Sequence, residues 1–128
     1  MAYASVVTVI RKGREVVVTI AETEAAAASE ADPIELGFVR GRIIRQVCVL
    51  TSGTATTVDP IIGTTTDPSG AAVVLENATA AATVDNQITG GATFNSSTGI
   101  LYHRSVVDGA SADNVIATTY HILVGWGQ

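Results

Sequence analysis

The sequence predicts an all-β fold, an antiparallel β-sandwich or jelly-roll-like barrel with a short arm or helical turn, and three observations carry that prediction. Short apolar runs recur at close spacing with clusters of Gly, Pro, Asn and Asp between them, the pattern of strands and turns in sandwiches and barrels. Apolar residues make up 47% of the chain and aromatics only 5%. Ala, Val and Ile dominate, which favours strands with small, closely packed side chains. The last run, Asn114 to Trp126, alternates with period two: Ile116, Tyr120, Ile122, Val124 and Trp126 share one face, Thr119 and His121 the other.

Taken in order, Tyr3 to Lys12 and Arg14 to Glu22 form a first β pair joined at Lys12-Gly13, where glycine supplies the positive φ of a tight hairpin. That register sets Arg11 opposite Arg14, and places Val16, Val18 and Ile20 on the core face. The next segment, within 22–37, is acidic and alanine-rich. Its composition favours a helical turn or ordered arm ending before Pro33. Phe38 to Thr51 is the central strand and holds Arg40, Arg42 and Arg45, three of the seven basic residues. Its alternation switches partway, so a bulge or bend is expected near Ile43 and Ile44. Beyond it, Val47 to Leu50 is apolar on both faces, as in a strand covered on both sides. Arg45 interrupts the apolar face, so it must reach a rim, a carboxylate or the bulge.

Asp59-Pro60 and Asp67-Pro68 read as turns around a short strand at Val58 to Ile62. Further strands are expected at Ala71 to Glu76, Thr83 to Ile88 and Ala92 to Phe94, with Gly90-Gly91 separating the last two. The turn at residues 95–99 implies a hairpin between Thr93-Phe94 and the strand Ile100 to Val107. The terminal strand is expected to pair with Ile100 to Val107, placing Trp126 at the end of the core or in a subunit contact.

A length of 128 residues fits one β domain, 1–128. A net charge of −5 argues against nucleic acid or an anionic membrane as a partner reached by charge. Cys48, the only cysteine, precludes an internal disulfide, and its apolar neighbours make it a buried, inert thiol. There is no basic and apolar leader at Met1 and no window of 18 uninterrupted apolar residues, so neither export by a signal nor a membrane span is expected.

No cofactor, metal or catalytic motif stands out. His103, Ser105 and Asp108 lack the elbow and oxyanion signature of a hydrolase. His103 and His121 without a local third ligand make a weak metal site and read as structural residues whose replacement matters modestly. The aspartates Asp59, Asp67, Asp85, Asp108 and Asp113 fall in or beside turns, outside any EF-hand spacing. Six aromatics, mostly on apolar strand faces, make a poor glycan platform.

The order of segments, from the opening hairpin and acidic arm through GRIIRQVCVL, TSGTATTVDPIIGTTTDP, TAAATVDNQI and GILYHRS to HILVGWG, resembles small virion structural proteins of tailed bacteriophages, in particular jelly-roll-like capsid decoration or cement proteins. The resemblance implies a non-enzymatic protein made in the host cytoplasm and placed on the capsid surface. There it would bind the major capsid protein, commonly as a homotrimer, and bridge capsomers. A tail, baseplate or fibre-associated protein is the alternative of the same kind, and a glycan-binding β module the alternative of another. The charge asymmetry adds candidate interface residues: Glu22, Glu24 and Glu30 of the acidic arm are expected to meet Arg40, Arg42 and Arg45 of a neighbour, with Trp126 as an apolar contact.

Overall fold

Alternation along each strand resolves into two facing sheets in the computed structural model, which describes residues 4–24, 31–53, 57–66, 68, 70–76, 82–108 and 114–125. The strands are β1 (Ala4–Lys12), β2 (Glu15–Glu24), β3 (Asp32–Glu35), β4 (Arg40–Ser52), β5 (Thr57–Gly63), β6 (Val73–Glu76), β7 (Thr83–Asn95), β8 (Ile100–Asp108) and β9 (Asn114–Val124). One sheet has the order β1-β2-β9-β4-β7, the other β3-β8-β5-β6. Four antiparallel neighbour pairs, β2 with β9, β3 with β8, β4 with β7 and β5 with β6, show how the chain is wound. It runs out through β2 to β5 and returns beside itself through β6 to β9, alternating between sheets. That winding is the jelly roll, with β1 added at one edge.

Strand β4 lies inside its sheet between β9 and β7, with its register shift between Ile43 and Arg45, where alternation in the sequence fails. Inward-facing Val16, Val18, Ile20, Ile43 and Ile122 are buried, as are Ile116 and Tyr120. Each fully buried Val or Ile contributes about 1.5–3 kcal/mol relative to exposure.

Several sequence expectations are corrected. The first hairpin turns at Gly13-Arg14, so Arg11 lies opposite Val16, and Lys12 opposite Glu15. Like charges are thereby kept apart. The expected helical arm is strand at both described ends: β2 continues to Glu24 because its ladder with β9 reaches Asn114, and residues 32–35, Pro33 included, form β3. Residues 25–30, with the alanine run and Glu30, lie outside the described residues. Asp59-Pro60 is within β5, not a turn. Pro60 sits just beyond the three residues that pair with β6, where a missing N–H costs no ladder bond on that side.

Strand β7 runs unbroken through Gly90 and Gly91, whose φ values of 81° and 83° make a wide bulge opposite Ile44. A Cβ on Gly91 would stand 2.9 Å from Arg42 Cβ, so the arginine stem occupies the space a side chain would need. The strand after β7 does not fold back as a hairpin. Residues 96–99 instead carry the chain to the other sheet, with Ser96 N donating to Val39 O and Leu36 N to Gly99 O. Strand β9 consequently pairs with β2 and β4, not with β8. A 3-10 turn, Gly70–Ala72, precedes β6, which begins at Val73. The outer side of Val47 to Leu50 is only half-buried.

Close packing at the end of β4 generates a test. A Cβ at Gly41 would lie 2.6 Å from Leu123 O and 2.9 Å from Phe94 Cζ. Gly41→Ala is therefore expected to lower stability by about 1–3 kcal/mol, read from urea unfolding with an unchanged m-value.

Candidate functional site

The interior of the sandwich is divided. One apolar cluster includes Val18, Ile43, Leu101 and Ile122; a second contains Cys48, Val58, Val84, Val107 and Ile116. Between them runs a polar layer. Strand β2 contributes Glu22, β4 Gln46, β8 His103 and Ser105, and β9 Thr118, all buried. Period-two alternation places these groups inward, because each lies in phase with buried apolar residues of its own strand.

Gln46 Nε2 donates to Tyr120 Oη at 3.1 Å and to Pro60 O at 3.3 Å. Tyr120 Oη is 2.7 Å from His103 Nδ1, and the rings meet edge to face with centroids 5.4 Å apart. Burial holds the Tyr120 hydroxyl well above the ordinary phenol range, so it remains a donor. If Tyr120 donates to Nδ1, the imidazole proton lies on Nε2, 2.9 Å from Ser105 Oγ and 3.1 Å from Glu22 Oε1. Ser105 Oγ in turn donates to Glu22 Oε1 at 2.8 Å. Every donor in this chain thus meets an acceptor, and the layer joins both sheets.

His103 and Ser105 do come together, as the sequence allows, but with Glu22 as their carboxylate. The arrangement is not that of a hydrolytic triad. Carboxylate and hydroxyl share one ring nitrogen, the other is held by Tyr120, and both His103 and Glu22 side chains have zero exposure. Cys48, between Val84 and Ile116 in the second cluster, accepts from Thr118 Oγ1 at 3.4 Å, and burial pushes its thiol up to about 12. His121 lies on the outer face of the other sheet, 3.0 Å from Glu15, so the two histidines share no site.

The candidate interface residues are likewise redistributed. Glu22 points into the core and cannot belong to an exposed arm, because β2 extends past it. Arg45 turns outward at the bulge, where Nε and NH2 bind the two oxygens of Asp85 at 3.0 and 2.8 Å. That pairing, led by its hydrogen bonds, holds Asp85 below the usual carboxylate range and Arg45 above its own. It is a half-exposed pair at the bulge, within what the sequence allows for an arginine that interrupts an apolar run. Arg42 donates to Gly90 O at 3.4 Å, and Arg40 stands exposed at the start of β4. Glu24 closes β2 opposite Asn114. Trp126 lies outside the described residues.

What sequence reasoning missed is the outer face of the five-stranded sheet. Register places Val6, Ala21, Ala117, Val49 and Thr83 in one cross-strand row. The next row holds Thr8, Thr19, Thr119, Val47 and Asp85, and the third Ile10, Val17, His121, Arg45 and Gln87. The only full charges in these rows, Asp85 and Arg45, neutralise each other. Val6 is 66% exposed and Val115, beside a shallow depression of about 220 Å³, 40%. The signal was present as alternate Thr, Ala and Val residues, but each strand alone reads as having merely a weakly polar outer side.

No family model matches the chain and no curated protein matches it. Among solved structures, it is similar to the crystal structure of the Yersinia pseudotuberculosis-derived mitogen (YPM), at 12% identity over 88% of each chain with a TM-score of 0.48. That likeness carries no functional assignment.

The polar layer predicts unequal histidines, where the sequence alone suggests a modest effect for both. His103→Leu removes one donor to the buried Glu22 carboxylate, to which Ser105 still donates, and leaves the Tyr120 hydroxyl without its ring partner, so it should cost about 3–5 kcal/mol. Ser105→Ala should cost about 1–3 kcal/mol, and His121→Gln, at a half-exposed pair, about 1 kcal/mol or less. Chemical denaturation of the three variants checks the order.

A second expectation concerns pH. Burial, then the hydrogen bond that protonated Asp59 donates to Glu76, then the charge of Glu76, raises Asp59 from 3.8 to about 7. Between those values the folded protein holds a proton that the unfolded chain has released. This group's contribution is therefore most favourable below about 4, declines as pH rises, and levels off above about 7. Asp59→Asn should flatten that part of the melting-temperature profile between pH 5 and pH 8.

Proposed function

We propose that the protein is a virion structural protein of the capsid decoration type, which binds the major capsid protein on a phage head and bridges capsomers without catalysing a reaction. The observation that carries this reading is the outer face of the five-stranded sheet: a broad surface rich in Thr, Ala and Val on which Arg45 of β4 and Asp85 of the edge strand β7 neutralise each other. Such a face loses little on desolvation and suits a broad, regular protein surface.

Two further features support the reading. The whole-chain order of segments resembles decoration proteins, and the jelly roll agrees with the fold that the resemblance implies. The His103, Ser105 and Glu22 cluster has a structural use already, since it connects the sheets from within. A glycan platform is less well supported. Among the described aromatics, Tyr120 and Phe94 are buried and Phe38 packs against Phe94.

Adding the purified protein to heads that lack it should give saturable, stoichiometric binding and raise the temperature at which the heads rupture. Ala117→Glu, at the middle of the outer face, should abolish binding while leaving the melting temperature of the free protein nearly unchanged. Stoichiometric recovery on tails would instead select the tail or baseplate reading, and binding unaffected by Ala117→Glu would remove the face from the interface.

A further inference from the structure

A sheet that ends in open strands must protect them or pair them, since an edge presents a row of unpaired backbone donors and acceptors. Three of the four edges here carry protection. Strand β3 has four residues and a proline, β6 has four residues, and β7 carries the Gly90-Gly91 bulge. Strand β1 has none of these devices. It is nine residues long and pairs with β2 in an unbroken register from Ala4 to Lys12, and its only charges are at one end. Among the described residues it also carries two of the four exposed large hydrophobics, Val6 at 66% and Ile10 at 45%. Among the described residues its only ladder partner is β2.

We propose that β1 pairs antiparallel with β1 of a second copy, joining two five-stranded sheets into one continuous sheet of ten strands across a two-fold axis. The sequence of the strand selects this occupant. Antiparallel pairing centred on Thr8 matches all nine residues and keeps both faces in phase. Exposed Val6 then lies opposite Ile10, core-side Val7 opposite Val9, and Thr8 opposite itself. Charge selects the same direction. A parallel pair would stack Arg11 on Arg11 and Lys12 on Lys12. The antiparallel pair separates them to opposite ends and sets Arg11 of one copy against Ser5 of the other, whose hydroxyl is 2.5 Å from the Asp32 carboxylate. A strand meeting itself across a two-fold is an isologous contact, which closes as a dimer. This contact takes the place of the trimer that the resemblance implies, and it does not depend on what the outer face binds.

Sedimentation and native mass measurement on the full chain test the pairing. The parent protein is expected at twice its 13.1 kDa mass. Thr8→Lys and Thr8→Glu each set like charges face to face and should weaken self-association about tenfold or more. Mixing the two variants should restore the dimer as a heterodimer, which also shows that both are folded. Mild oxidation should cross-link Thr8→Cys but not Thr19→Cys, with Cys48 buried and silent. A monomer at about 100 μM, far above the affinity of a stable dimer, would overturn the proposal. So would a trimer, a dimer indifferent to charge at position 8, or a monomer that takes up only a foreign extended peptide.

Discussion

The structure depends on keeping one carboxylate satisfied where water cannot reach it. Glu22 sits at zero side-chain exposure and accepts from Ser105 and from His103, which is itself held through Tyr120 by Gln46. An unpaired charge at such a depth would cost several kcal/mol, so the strands that supply these donors must stay in register together. A slip of β8 by one residue would carry Leu101, His103, Ser105 and Val107 from the interior at once. The polar layer thus fixes alignment across the sandwich, where apolar side chains of similar size would tolerate alternatives.

That constraint explains how small side chains suffice on either side of the layer. Among the described residues the second apolar cluster is built from Val, Ile and Cys, with Leu50 packed against it. Cross-sheet hydrogen bonds hold the layers at the separation these residues fill. Thr118 binding Cys48 at 3.4 Å extends the polar contacts to the second cluster. The bulges then adjust what lies outside. The register shift after Ile43 turns Arg45 toward Asp85, and the double glycine of β7 makes room for the stem of Arg42.

Inside and outside consequently use their polar groups in opposite ways. Inside, β2, β4, β8 and β9 contribute one or two polar groups each to a connected network. Outside, the five-stranded sheet carries Thr, Ala and Val, with Arg45 and Asp85 paired toward its β7 edge. A face of this composition and the open edge of β1 adjoin each other, because Val6, Thr8 and Ile10 belong to both. Association along the edge would therefore enlarge the face without interrupting it.

The sequence by itself determined where most strands lie and which side of each is buried, because period-two alternation is a local record of burial. In the run from Asn114, Ile116, Tyr120 and Ile122 face inward and Thr119 and His121 outward, as the alternation reads, and the irregularity near Ile43 is visible because a bulge breaks that local record. Which strand lies beside which was decided only in the tertiary structure. The ladders of β9 join residues up to 108 positions apart, Glu15 with Leu123 among them, and alternation does not name a partner. The same limit hid the site. Glu22 reads as the start of an acidic helical arm, but pairing with β9 overrides the local preference of the following Ala and Glu residues and carries β2 on to Glu24. His103 reads as one polar residue on a strand until Glu22, from 81 residues away, is placed 3.1 Å from its ring. Burial of a polar group is written locally, but the partner that makes burial tolerable is supplied by the fold.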